Sequence, residues 1–174
     1  MYGRELLSLP NVVSLTRVVC AAAVLAVHGA GQRAALIAIA SASDFLDGWL
    51  ARRHRAVSRL GAMLDPIADR CFVLACVVAF LLDGALTTGQ YLVLLMRDIA
   101  TAVGFLVARS IPWLRAVPFQ ARQLGKAVTV LQFATLMAVA LRPTLVPTLL
   151  LAIAVLSVAS IADYTLALWR ARTA

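Results

Sequence analysis

The sequence predicts an all-α membrane protein: six transmembrane helices behind a short N-terminal interfacial helix, with both termini cytoplasmic. Three observations carry this. The 174 residues are 63% hydrophobic and 14% charged, with a mean hydropathy of +0.92, whereas soluble domains run near ~45–50% apolar and ~25% charged. The apolar residues fall in runs close to the ~20 needed to cross ~30 Å of hydrocarbon, without strand-like alternation. The arginines gather at the ends of those runs.

Residues 1–10 form a short amphipathic piece closed by Pro10-Asn11 and suited to the membrane surface. Spans are expected at 12–29, 33–52, 61–82, 87–109, 124–141 and 146–169. They are separated at Gly29-Ala30-Gly31, at the basic segment Arg52 to Arg59, at Asp83-Gly84, at Ile111-Pro112 and at Pro143. No repeat or low-complexity linker divides the chain, so residues 1–174 read as one domain. Arg17 ahead of an apolar stretch imitates a signal peptide, but the further spans favour a retained first helix.

Orientation follows from the short loops. Arg4, Arg52, Arg53, Arg55, Arg59, Arg109, Arg115, Arg122, Lys126, Arg170 and Arg172 share one side, against Arg33 and Arg142 on the other. The positive-inside rule makes the richer side cytoplasmic. The net charge of +8 does not signal nucleic acid, because no basic stripe carries interleaved aromatics. Cys20, Cys71 and Cys76 lie in apolar helices without a C-x-x-C pair and are expected to be buried structural thiols.

Four of the eight acidic residues fall close together: Asp44 and Asp47, then Asp65 and Asp69. Spacings of i,i+3 and i,i+4 put each pair on one helix face. The short loop between spans 2 and 3 makes those helices antiparallel neighbours, so the pairs can face each other near the cytoplasmic boundary. An ionised aspartate at membrane depth costs at least ~2.5–3.5 kcal/mol, and four together repel. Hard divalent cations, Mg²⁺ or Mn²⁺, are the natural compensation, since no Cys/His set suggests zinc. A pair of ions could bridge a substrate diphosphate. Gly48, Ala51 and Gly61 lie beside the aspartates and leave room for phosphate or nucleotide.

The pattern Asp44-x2-Asp47-Gly48-x2-Ala51-Arg52-x8-Gly61-x3-Asp65-x3-Asp69 resembles in full the signature of the CDP-alcohol phosphatidyltransferase family. Leu9-Pro10-Asn11 and Ser14-Leu15-Thr16-Arg17 are similar to that family's N-terminus. The resemblance implies that Asp44, Asp47 and Asp65 are metal ligands and that Asp69 is both ligand and general base. It implies that Asp44, Gly48, Ala51, Arg52 and Gly61 line the pocket for cytidine diphosphate. The substrates would be CDP-diacylglycerol and an alcohol acceptor, the product CMP. The protein would be a homodimer in a bacterial cytoplasmic membrane, its site facing the cytoplasm.

The acceptor is the open point. Arg97-Asp98 lies mid-span, where charge suggests either a site or an interhelical ion pair. Arg109, Arg122 and Lys126 cluster near the loop between spans 4 and 5. Lys126 is the one lysine in the chain, and Gly125-Lys126-x2-Thr129 resembles a segment of the family members that make phosphatidylglycerophosphate. A basic pocket of Arg97, Arg109, Arg122 and Lys126 suits an anionic acceptor, glycerol 3-phosphate first. Phosphatidylglycerol, as in the cardiolipin-forming members, comes close behind, and an inositol phosphate is a further option. Arg97-Asp98 itself leans toward the cardiolipin type. The rival from another class is a divalent-cation transporter, which would place its ligands at the bilayer midplane. His28 and His54 lack partners at ligand spacing, and Asp163 suits polar contact between helices.

Overall fold

A computed structural model describes the backbone of residues 9–54, 59–110 and 123–173, and side chains chiefly within 15–43, 68–110 and 124–166. Six α-helices occur among the described residues, with no strand: α1 (Leu9–Ala26), α2 (Ala30–His54), α3 (Arg59–Leu82), α4 (Thr88–Ser110), α5 (Gln123–Leu141) and α6 (Val146–Thr173). A single 3₁₀ turn, Pro143–Leu145, joins the last two. The expected interfacial piece lies mainly in residues 1–8, outside the described residues. Its expected end does not hold: Leu9, Pro10 and Asn11 already belong to α1. Proline is tolerated there because the first turn has no intrahelical partner for its missing N–H.

The helix ends follow local chemistry. The break between α1 and α2 falls at Val27–Gly29, two residues earlier than expected, so Ala30 and Gly31 lie inside the helix. The Arg33 N–H donates to Gly29 O at 3.0 Å, which makes Gly29 the start of helical bonding. At the end of α3, Ala85 N–H donates to Phe80 O at 2.8 Å and Gly84 N–H to Leu81 O at 3.0 Å. Gly84, at φ 69°, supplies the left-handed residue that this Schellman ending requires. Thr87 then opens α4 with a capping box: Thr87 N–H donates to Gln90 Oε1 at 2.9 Å and Gln90 N–H to Thr87 Oγ1 at 3.4 Å.

The chain forms two compact units, residues 1–86 with 136–143, and residues 87–135 with 144–174. In the first, α1 packs against both α2 and α3. Its core is rich in small residues (Ala21, Ala34, Ala40, Ala68, Ala79) set around Val24, Ile37, Phe72 and Phe80, which lets helix backbones approach closely. In the second unit α4 packs against α6, over a core that includes Leu94, Val128, Leu150 and Ile153.

Polar side chains lie within the apolar interior, and the surface is itself strongly apolar. Arg17, Arg33, Gln132, Thr135, Ser157 and Ser160 are buried, while Leu15, Val19, Leu106, Val130, Leu151 and Val155 are exposed. Contiguous exposed apolar surface marks contact with something other than water. Two stretches among the described residues, Leu124–Leu141 and Pro143–Asp163, are long and apolar enough to cross a membrane. Cys20 and Cys76 are buried free thiols, but Cys71 is exposed, against expectation. It stands on the outer face of α3, where an apolar residue would be expected to meet lipid.

Arg33 ties the start of α2 to the end of α3. Its Nη1 donates to Asp83 Oδ2 at 2.5 Å and to Ala79 O at 3.4 Å, its Nε donates to Val27 O at 2.9 Å, and its guanidinium stands 5.2 Å from the centre of the Phe80 ring. The N-terminal end of α2 and the C-terminal end of α3 therefore meet. Removing one partner of such a buried cluster leaves the others unsatisfied. Arg33→Met is expected to destabilise the protein by roughly 2–3 kcal/mol, read as a lower thermal unfolding midpoint in detergent; an unchanged midpoint would show the cluster to be dispensable.

Candidate active site

The contact of Arg33 with Asp83 gives a common reference point for the aspartates along the two helices. Asp47 lies fourteen residues beyond Arg33 on α2, and Asp69 fourteen residues before Asp83 on α3. At 1.5 Å per residue both stand about 21 Å from the Arg33–Asp83 tie. Asp44 is one turn nearer that tie and Asp65 one turn further from it. The backbones of Asp44, Asp47, Gly48, Ala51 and Arg52 lie in α2, and those of Gly61 and Asp65 in α3. Their side chains lie outside those described.

The side chain of Asp69 is among those described. Its carboxylate, 29% exposed, takes an ion pair at Oδ1 from Nη1 of Arg17, which is 1% exposed. Arg17 comes from α1, one helix away, and sits beside Cys20, Ala21 and Val24 on the buried face. A guanidinium in this position costs several kcal/mol of desolvation unless an anion meets it; Asp69 is that anion. Sequence reasoning noted Arg17 only as the flank of the first span and as part of the family-like N-terminus, although a lone cation inside an apolar helix is itself a signal of a site. Its partner is 52 residues away, and no local spacing could name it.

Among the described residues no three His, Cys, Asp or Glu side chains gather as metal ligands. Three of the four aspartates lie outside that set. The donor chemistry fits a hard divalent ion nonetheless. All four positions offer carboxylate oxygen, and the one visible carboxylate is already engaged by a cation.

The second polar cluster lies between α4 and α5. Arg97 Nη1 donates to Asp98 Oδ1 at 3.3 Å. Gln132 Nε2 donates to Asp98 Oδ2 at 2.6 Å and to Leu94 O at 2.8 Å. The Arg97 guanidinium lies against Gly125 of α5, its Cζ 3.2 Å from where a Cβ would stand. Lys126 follows Gly125 and is exposed. The expected acceptor residues thus separate into groups. Arg97 and the Gly125-Lys126 segment come together. Arg109, twelve residues further along α4, is about 18 Å from Arg97 along the axis, too far for both to grip one phosphate. The Arg109 side chain and all of Arg122 lie outside the described residues. Gln132 was missed; a buried amide in an apolar helix was the available sign.

His28 falls in the break between α1 and α2, and His54 is the last residue of α2. The His54 side chain lies outside those described.

Inward-facing charge and amide groups within outward-facing apolar helices define the pattern of a helical membrane protein with a polar interior. Comparison with known proteins gives the family: residues 7–164 match the model of the CDP-alcohol phosphatidyltransferases. The chain belongs to that family. It is 35% identical over 129 residues, 72% of its own length, to a putative cardiolipin synthase of Mycobacterium tuberculosis. It is 33% identical over 136 residues to the CMP-forming cardiolipin synthase of Streptomyces coelicolor, again 72% of its length. A CDP-diacylglycerol–glycerol-3-phosphate 3-phosphatidyltransferase of Mycoplasma genitalium is 33% identical over 90 residues, 52% of this chain and 36% of that protein. The chain spans about 60% of the length of the two cardiolipin synthases.

Proposed function

We propose that this protein transfers a phosphatidyl group from CDP-diacylglycerol to an anionic alcohol acceptor and releases CMP. The observation that carries this is the complete aspartate motif on α2 and α3, with Asp69 held by a buried arginine from a third helix. Family membership supports it.

Asp69 receives the proton of the acceptor hydroxyl. The hydroxyl oxygen forms a bond to the phosphorus that carries diacylglycerol, and the bond from that phosphorus to the CMP oxygen breaks. Arg17, bound at Oδ1, holds the Asp69 carboxylate in place on α3. Asp44, Asp47, Asp65 and Asp69 would hold two Mg²⁺ or Mn²⁺ ions, which when bound neutralise charge on the diphosphate. Asp44, Gly48, Ala51, Arg52 and Gly61 would receive cytidine diphosphate. Arg97 and Lys126 would hold the acceptor's phosphate, with Arg109 and Arg122 drawing anionic acceptor to the cytoplasmic face.

The same reading includes six transmembrane spans, both termini in the cytoplasm, one domain over residues 1–174, and a homodimer in a bacterial cytoplasmic membrane. The preferred acceptor is glycerol 3-phosphate. One observation favours phosphatidylglycerol as a second: the relatives matched over 72% of the chain are named cardiolipin synthases.

An acceptor panel tests this. Purified protein with Mn²⁺ and CDP-diacylglycerol is offered glycerol 3-phosphate, phosphatidylglycerol, inositol phosphate, inositol or serine, and products are scored by lipid mass. A new phosphodiester lipid is expected with one of the first two. Product only with inositol or serine would overturn the anionic acceptor, and no product with any would overturn the function.

A further inference from the structure

Arg17, Cys20, Ala21 and Val24 follow one another on α1 at i, i+3, i+4 and i+7 and are all buried, while Leu15, Val18, Val19 and Leu25 are exposed. The Arg17 guanidinium thus lies on the face that α1 turns to its neighbours, and it pairs there with the Asp69 carboxylate of α3. On α3 the nearest residues on either side of Asp69 along its face, Ala68 and Phe72, are buried as well. Asp69 keeps partial exposure. The pair therefore stands at the rim of the first unit's apolar core, its cation inside and its anion at the edge.

Two properties of this arrangement bear on metal. An arginine in a protein is not deprotonated, so its charge is permanent. Its enclosure also fixes it: leaving the carboxylate would strand a bare cation among apolar side chains, which is far costlier than keeping the pair. Arg70, next to Asp69, is exposed and can turn its charge to water; Arg17 cannot. Any divalent ion that uses the Asp69 carboxylate must accept Arg17 as a neighbour. A first ion still finds the carboxylates of Asp44, Asp47 and Asp65. A second must settle beside both the first ion and the guanidinium, in surroundings where like charges are poorly screened. The substrate's diphosphate supplies the negative charge that is missing.

We propose that Arg17 is a resident counter-cation of the metal site: by holding Asp69 it weakens the second divalent ion in the substrate-free protein and makes that ion depend on the substrate's diphosphate. One ion is then held at rest, and the second arrives with the nucleotide. The coupling is reciprocal, so the diphosphate in turn binds more tightly where the second ion is present. The inference rests on the phosphatidyl-transfer reading, in which the four aspartates hold metal.

Counting bound ions tests this without turnover. Purified protein in detergent is dialysed to equilibrium against Mn²⁺, with CDP either absent or present on both sides of the membrane. Wild-type protein is expected to hold one Mn²⁺ tightly without CDP, the second at least roughly tenfold more weakly, and both tightly with CDP. Arg17→Met should hold both ions with similar affinity in the absence of CDP, and CDP should add little. Arg17→Lys keeps the positive charge and should bind ions as the wild type does. A merely structural ion pair predicts none of this: its loss would weaken both ions alike, with CDP or without it.

Two equally tight ions in wild-type protein without CDP overturn the proposal, and that arm needs no variant to fold. So does a wild type that takes no second ion when CDP is present. An Arg17→Met protein that still requires CDP for its second ion, or that binds both ions more weakly under either condition, overturns it as well. Each of these outcomes leaves the transfer reading standing. Wild-type protein that holds no Mn²⁺ with or without CDP overturns the proposal together with the metal-dependent transfer on which it rests.

Discussion

Asp69→Asn is expected to lower CMP release by roughly 10²–10⁴-fold, the usual worth of a positioned general base. Asparagine keeps the shape of the side chain and still offers Oδ1 to the Arg17 guanidinium, so the α1–α3 contact survives. It cannot take a proton from the acceptor hydroxyl. Binding of CDP-diacylglycerol, followed by displacement of a labelled cytidine nucleotide, should fall by far less than turnover. Asp69 is one of four carboxylates in the motif, and the nucleotide-side residues are Asp44, Gly48, Ala51, Arg52 and Gly61. Turnover near the wild-type rate in Asp69→Asn would remove Asp69 from the role of base. Equal losses of binding and turnover would move it to the nucleotide pocket.

Arg17→Met is the second large effect, and it acts through both stability and activity. Deleting one member of a buried ion pair strands the other charge, at a cost of about 3–5 kcal/mol when both are fully enclosed. Asp69 keeps 29% exposure, so the lower end, about 3 kcal/mol, applies. The stranded carboxylate also loses its fixed orientation, and turnover should fall with it. A double-mutant cycle separates the two contributions. Arg17→Met combined with Asp69→Asn should lose less than the sum of the two single variants, because each single change removes the same ion pair. Additive losses in the cycle would mean that the pair carries no coupling. Arg17→Lys keeps a point charge without the planar fork and should recover stability more fully than turnover.

Much of the helical frame was legible in the apolar runs. The expected spans at 61–82, 87–109 and 124–141 differ from α3, α4 and α5 by at most two residues at either end. They ended where local chemistry ends helices: Gly84 with a positive φ, Thr87 with Gln90, and Pro143. The misplaced end at Gly29–Gly31 has a local cause too. A glycine pair reads as a break, but helical bonding resumes at Gly29, and Gly31 is carried inside α2. The aspartate spacing was legible because i,i+3 and i,i+4 are properties of one helix. Long-range polar pairing was not. Arg17 with Asp69, Arg33 with Asp83, and Gln132 with Asp98 join residues 34 to 52 positions apart, and only packing decides which buried cation meets which anion. Gly125 illustrates the same limit: its neighbour Lys126 drew attention as the sole lysine, while the glycine is what admits Arg97.

The central claim is that the carboxylates of α2 and α3 serve phosphatidyl transfer. The most direct measurement is CMP release from CDP-diacylglycerol by the purified protein in lipid vesicles, with the divalent ion and the acceptor each added and withdrawn. The account predicts CMP released one for one with new phosphodiester lipid, stopped by chelation, restored by Mn²⁺ or Mg²⁺, and absent in Asp69→Asn. CMP release that continues with the ions chelated, or at wild-type rate without Asp69, would contradict it.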